Sequence, residues 1–224
     1  MDKAYQLVEK MQQGTNIALI TDAGTPGISD PGEDLVRICY EQGIEVTSLP
    51  GAAACITALT LSGLPTRRFS FEAFLPKEKK ERAAVLEELK NDTRTLIVYE
   101  APHHLLGTLK ELQNALGDRR LTVCRELTKL HEEVARGTAA ELRELFAARA
   151  KEPGGVRGEI ALVIDAPGEA EAAAGAEIAT ASATACAAEL VAEGLRTKEV
   201  AKRLTVEFGI PRNDAYNLAM QAAR

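Results

Sequence analysis

Residues 17–32 read Ile-Ala-Leu-Ile-Thr-Asp-Ala-Gly-Thr-Pro-Gly-Ile-Ser-Asp-Pro-Gly. The apolar run at 17–20 predicts a short strand that ends at Thr21-Asp22. Leu35, Val36, Cys39 and Tyr40 mark one face of a helix that stops at Gly43. The intervening loop therefore lies at a strand end, where the carboxyl edge of an α/β sheet receives ligands. Gly24, Gly27 and Gly32 let a ligand approach the backbone, and Pro26 and Pro31 limit the loop's freedom. Asp22 and Asp30 add negative charge. Such a loop suits a positive sulfonium, and ribose hydroxyls in need of acceptors, better than a phosphate. No G-K-[ST] follows and no G-x-G-x-x-G is present, which weighs against nucleotide triphosphates and ordinary dinucleotides. A rigid, ligand-free connection is the competing reading.

Outward from this loop, the chain alternates. Upstream, Ala4, Leu7, Val8 and Met11 share a helical face that Gly14 closes. Downstream, 44–49 reads as a strand, and Pro50-Gly51 turns into an Ala-rich helix ending near Gly63. Strand, helix, strand with short links predicts a parallel βαβ unit. A second series follows: strands at 69–74, 95–99, 121–124 and 159–164, and helices at 82–90 and from Pro102 to Gly117. Thr138-Ala-Ala-Glu141 is a capping box that opens another helix. Residues 166–177, low in complexity, read as a linker, flexible or loosely helical. Helical patterns at 187–192, 200–208 and 215–222 then form a small module. Its helix-turn-helix character points weakly to DNA, because the turn spacing is loose; placing RNA, or packing in a dimer, is preferred.

Composition sets outer limits. Hydrophobic residues make up 46% and charged residues 27%, an ordinary globular balance. No run approaches the roughly 18–20 apolar residues of a membrane span, and the first residues carry no apolar signal core, so a cytoplasmic location is expected. The four cysteines, Cys39, Cys55, Cys124 and Cys186, form no C-x-x-C pair and read as buried small hydrophobes. With only three histidines, a structural zinc site is not expected. The net charge of −6 excludes a uniformly basic nucleic-acid clamp. The charge is uneven, however: residues 165–193 carry six acids and no Lys or Arg, whereas 194–224 carry six Lys/Arg against three acids. Contact with nucleic acid would come from local patches.

Three further strand ends carry candidate chemistry. Pro50-Gly51-Ala52-Ala53-Ala54 has side chains small enough to admit a flat adenine, although an Ala-rich buried helix start fits the spacing as well. Tyr99-Glu100-Ala101-Pro102-His103-His104 offers Glu100; its adjacent histidines would point about 100° apart on a helix, which argues against a shared metal ion. Cys124-Arg125-Glu126-Leu127-Thr128-Lys129, with Arg119 and Arg120 just before it, could hold an RNA phosphate or form a solvated, ion-paired surface.

Together these stretches resemble the ribosomal RNA small-subunit methyltransferase I family, the 16S rRNA (cytidine-2′-O)-methyltransferases of the tetrapyrrole methylase superfamily. The resemblance is carried by DAGTPGISDPG (22–32), PGAAACITALTLSGLP (50–65), FEAFLP (71–76), YEAPHHL (99–105), CRELTKLHEE (124–133) and GEIALVI (158–164), in that order. It implies a two-domain α/β fold with S-adenosylmethionine folded between the domains, a homodimer, and 16S rRNA in the 30S subunit as partner, with no membrane or DNA involved. On that pattern the chain divides into a partial N-terminal α/β domain with the donor loop (1–66), a second α/β domain (67–165), the linker (166–177) and the helical module (178–224). The first strand, glycine loop and acidic segment of the family have no counterpart here, so the first domain is expected to be truncated. The resemblance assigns the donor to Ala23, Gly24, Thr25, Ile28, Ala53, Ala54, Ala161 and Leu162, and the RNA side to Arg125 and Lys129. For attack of a ribose oxygen on the methyl carbon, the candidate proton acceptors are Glu100, Asp22 and Glu126, and no metal is required. The alternatives are a precorrin (tetrapyrrole) methylase, against which FEAFLP, CRELTK and the helical tail argue, and an inactive fragment limited to dimerisation or RNA contact.

Overall fold

Alternation along each strand explains why helices cover both faces of the central sheet in this computed structural model, which describes residues 2–22 and 24–223. Helices α1 (Asp2–Gln12), α2 (Glu33–Glu41) and α3 (Ala54–Ser62) precede the sheet. Strand β1 (Phe69–Phe74), helix α4 (Lys79–Lys90), strand β2 (Thr95–Glu100), helix α5 (Leu105–Leu116), strands β3 (Arg120–Arg125) and β4 (Glu133–Thr138), helix α6 (Ala139–Arg149) and strand β5 (Ile160–Ile164) follow. The strand order is β1-β2-β5-β3-β4. β1 and β2 are parallel, and the other three pairings are antiparallel. Leu96, Val98, Leu121, Val123, Leu162 and Ile164 face α4, α5 and α6 in the larger core. Their neighbours Ile97, Cys124, Ala161 and Val163 face α3 through Cys55, Ala58 and Leu59. Successive strand side chains point to opposite faces, so each strand supplies both cores.

The chain divides into two units, Met1–Ala166 and Pro167–Arg224. Helix α3 packs directly on the sheet, so a boundary at residue 66 would cut one core. The expected strands at 17–20 and 44–49 do not form, and with them goes the expected parallel βαβ unit. A strand exists through its ladder, and neither segment pairs with another strand among the described residues. Ile20 is 85% and Leu49 84% exposed. Ala4, Met11, Leu35 and Ile44 instead pack around a small core of Val8, Ile38 and Cys39 beneath α1 and α2.

In the second unit, the segment expected to be a linker enters one long helix, α7 (Glu169–Ala192), followed by α8 (Thr197–Phe208) and α9 (Arg212–Ala222). The alanines that lower its complexity are also the strongest helix formers. Ala183, Ala187 and Leu190 of α7 close on Val200, Ala201 and Leu204 of α8 and on Ala215 and Ala219 of α9. Among the described residues, no helix is long and apolar enough to cross a membrane.

Candidate functional site

A cavity of about 530 Å³ opens at one edge of the sheet, within the first unit. The ends of β1, β2 and β3 and the start of antiparallel β5 meet there, through Phe74, Tyr99, Glu100, Cys124, Ile160 and Ala161. The loop at 24–30 and the turn at 52–54 form the opposite wall. The two are tied together: the Thr25 hydroxyl donates to the Ala52 carbonyl at 3.2 Å. Gly24, with φ +76, takes a backbone conformation that L side chains rarely adopt.

Of the residues expected from sequence to form the site, Asp22, Gly24, Thr25, Ile28, Ala53, Ala54, Glu100, Lys129 and Ala161 line this cavity. Ala23 lies outside the described residues. The Leu162 side chain is fully buried in the larger core, because its neighbour Ala161 faces the cavity and strand side chains alternate. Arg125 and Glu126 are not in the wall either. Arg125 donates to the Glu133 carboxylate at 2.9 Å and to the Arg157 carbonyl at 3.1 Å. Glu126 accepts from Lys129 at 2.9 Å and from the Glu159 backbone N–H at 3.0 Å, and these bonds hold its carboxyl below the usual carboxylate range. Arg119, grouped with the phosphate candidates, is buried and donates to the Leu89 and Lys90 carbonyls, so it caps the end of α4.

Glu100 is bound on both oxygens. One accepts from the Ala101 N–H at 2.7 Å and the other from the Thr108 hydroxyl. Arg82 reaches Glu100 at 3.6 Å and donates to Thr108 at 2.6 Å. Asp22, by contrast, has no side-chain hydrogen bond among the described residues. His103 and His104 sit in a turn before α5, not within the helix expected to start at Pro102, and their ring centroids lie 4.1 Å apart, with the planes tilted by 47°. Among the described residues, no group of three or more His, Cys, Asp or Glu could hold a metal ion.

Sequence reasoning missed Tyr99 and Phe74, both inside quoted motifs at strand ends; that position was the available signal. The Tyr99 hydroxyl accepts from the Cys55 N–H at 3.0 Å, fixing the start of α3 to the sheet. Burial pushes the phenol up to about 12, so it stays protonated and keeps an O–H to donate. Burial likewise pushes the Cys124 thiol up to about 11, which makes it a poor nucleophile. Backbone strain concentrates at the same place. Four non-glycine residues among those described have positive φ: Ser29, Ala73, Glu126 and Thr128. Ser29 and Thr128 line the cavity, and Ala73 and Glu126 directly precede Phe74 and Leu127, which also line it. Each such residue costs about 1–3 kcal/mol and persists where its surroundings impose it, characteristically at functional sites.

The cavity has the features a sulfonium donor needs: small side chains at Ala52, Ala53, Ala54 and Ala161, a backbone accessible at Gly24, and the carboxylates of Asp22 and Asp30. A sequence model of the tetrapyrrole (corrin/porphyrin) methylases matches residues 2–143. The ribosomal RNA small subunit methyltransferase I of Synechocystis sp. is 42% identical, over 98% of this chain and 76% of that protein. Its counterpart from Haemophilus influenzae is 43% identical, over 98% and 75%. Among solved structures, uroporphyrin-III-C-methyltransferase from Thermus thermophilus superposes with a TM-score of 0.52 over 73% of this chain and 70% of that one, at 20% identity; this likeness concerns the fold. By sequence, the chain belongs to the ribosomal RNA small subunit methyltransferase I family of the tetrapyrrole methylases.

Proposed function

We propose that this chain methylates small-subunit ribosomal RNA with S-adenosylmethionine as donor, at the 2′-oxygen of a cytidine in 16S rRNA within the 30S subunit, as a homodimer in the cytoplasm. The observation that carries this reading is the convergence of the 24–30 loop and the 52–54 turn on one cavity at the sheet edge, in a chain of this family.

Bound there, the donor supplies an electrophilic methyl carbon. Gly24, Thr25, Ile28, Ala53, Ala54 and Ala161 would hold it, and the Asp30 carboxylate would balance its positive charge and accept from its ribose. A ribose hydroxyl is a weak nucleophile and needs an acceptor at about 2.6–3.2 Å. Of the three candidates, Glu100 has both oxygens engaged by the fold, and Glu126 lies outside the cavity wall with one oxygen accepting from Lys129 and from the Glu159 N–H. Asp22 is left for that task. Glu100 serves instead to hold the turn after β2, through Ala101, Thr108 and Arg82. Lys129, on the wall and exposed, pairs with Glu126 at 2.9 Å and Glu159 at 3.0 Å, and would exchange these partners for an RNA phosphate.

The test incubates the protein with labelled S-adenosylmethionine and 30S subunits from cells lacking this modification, followed by nuclease digestion and nucleoside chromatography. Label in 2′-O-methylcytidine is the expected result. Label elsewhere, or transfer to a tetrapyrrole and not to RNA, overturns the reading.

A further inference from the structure

We propose that Phe74 is the stacking platform for the nucleobase whose ribose receives the methyl group. The proposal rests on the RNA-methylation reading above.

A single exposed phenylalanine is ordinary on a protein surface, but the backbone around Phe74 is not. Ala73 before it has φ +53. The pairing of β1 with β2 shifts register between Phe71 and Phe74. A bulge of this kind re-aims a side chain, and it costs ladder hydrogen bonds as well as strain. Here it turns the ring into the cavity wall, where the residue remains 54% exposed.

The ring is held from behind. Phe74 meets Tyr99 in a T-shaped contact at 5.7 Å, and Tyr99 meets Phe71 in another at 4.9 Å. Phe71 and Tyr99 are both packed against the core beneath α3. The hydrogen bond from the Cys55 N–H fixes the Tyr99 hydroxyl. The three rings thus form a rigid ladder running from the core to the cavity mouth, and the outermost is open.

Its position selects the ligand. Phe74 pairs with Tyr99, and Tyr99 pairs with Ala161. The ring therefore stands two strands, about 10 Å, from Ala161, a residue assigned to the donor. It also lies on an edge strand, the side from which a polymer reaches the cavity without threading through it. Within β1 the one charged residue is Glu72, and the exposed cations nearest in sequence, Arg68 and Lys77, flank the strand, so the strand itself offers a flat apolar surface. A nucleobase is the part of RNA that such a surface holds, and unpaired bases stack on aromatic side chains with useful affinity.

The chain contains no tryptophan, so F74W introduces a single indole. The full chain carrying F74W is titrated with S-adenosylhomocysteine and, separately, with a cytidine-rich single-stranded oligoribonucleotide. The RNA is expected to quench the indole, and S-adenosylhomocysteine alone is not. In parallel, F74A is expected to raise the RNA Kd at least fivefold, with the S-adenosylhomocysteine Kd changing less than twofold, and F74Y to restore RNA affinity. Quenching by S-adenosylhomocysteine alone, or an unchanged RNA Kd in F74A, overturns the platform. If F74A methylates 30S subunits with unchanged kcat/KM, the platform also fails while the methylation reading stands. If the unaltered chain transfers no methyl group yet the RNA quenching and the F74A loss persist, the stacking of a base on Phe74 stands and the methylation reading fails.

Discussion

Asp22 and Tyr99 show how much a single polar atom decides here. Asp22→Asn keeps the shape of the loop and removes the charge and the proton acceptor. General-base assistance is worth about 10²–10⁴ in rate, so kcat for 30S methylation is expected to fall at least 100-fold with the fold intact by circular dichroism; a loss below tenfold would move the acceptor role elsewhere. Tyr99→Phe deletes only the acceptor of the Cys55 N–H. Cys55 is buried, and a buried donor without a partner costs about 1–2 kcal/mol; urea unfolding measures the difference. At this scale the motif resemblance named residues that the structure brings to one cavity, although two of the motifs, 22–32 and 50–54, follow segments that form no strand. That the Leu162 side chain turns to the core was not legible, because the motif names a segment, whereas strand alternation decides which of its side chains reach the cavity. Whether Glu100 and Arg125 are free was not legible, since their partners, Thr108, Arg82 and Glu133, come from other elements.

Among elements, two junctions around α6 are open to measurement. Thr138 accepts from the Glu141 N–H at 3.3 Å, and Glu141 accepts from the Thr138 N–H at 2.8 Å, the reciprocal cap that the spacing predicted. Thr138→Ala is expected to cost about 1 kcal/mol in chemical denaturation. The second junction is Glu133 of β4, bridging Arg125 of β3 and Arg149 of α6. Burial by itself would raise the Glu133 carboxyl, but the hydrogen bonds from Arg149 and Arg125 outweigh it and hold the group below its ordinary value. A lowered folded value means that the stabilisation is complete above the ordinary carboxylate value of 4.5 and is lost as pH falls below it. Glu133→Gln is expected to lose about 1–2 kcal/mol at pH 7. Its denaturation midpoint should then depend less steeply on pH between 5 and 3 than that of the unaltered chain. β4 itself escaped the sequence reading: Glu133, Arg136 and Gly137 interrupt any apolar run, as suits an exposed edge strand. The length of α7 escaped too, because alanine-rich composition serves loops and helices alike until Ala183 and Ala187 find partners.

For the whole molecule, the βαβ expectation at the front failed for a non-local reason. Residues 17–20 and 44–49 have the composition of strands, but a ladder needs a neighbour that local sequence does not reveal. Leu19, Ile20, Val46 and Leu49 in them remain exposed, and such segments invite association. The double substitution Ile20→Lys with Leu49→Lys is expected to lower self-association in sedimentation at high concentration while changing the thermal midpoint by less than about 2 °C; equal association by both proteins would show that these segments are not its source. The later strands other than β4 were legible because each carries its own apolar run. Their order was not, and it has a consequence for biogenesis. β5 is the last strand of its unit in sequence and the middle one in space. During synthesis, the nascent chain can pair β1 with β2 and β3 with β4, but each half waits with an open edge until residues 160–164 emerge and join them. Pauses in translation just before that point would prolong the interval in which the half-built sheet depends on chaperones.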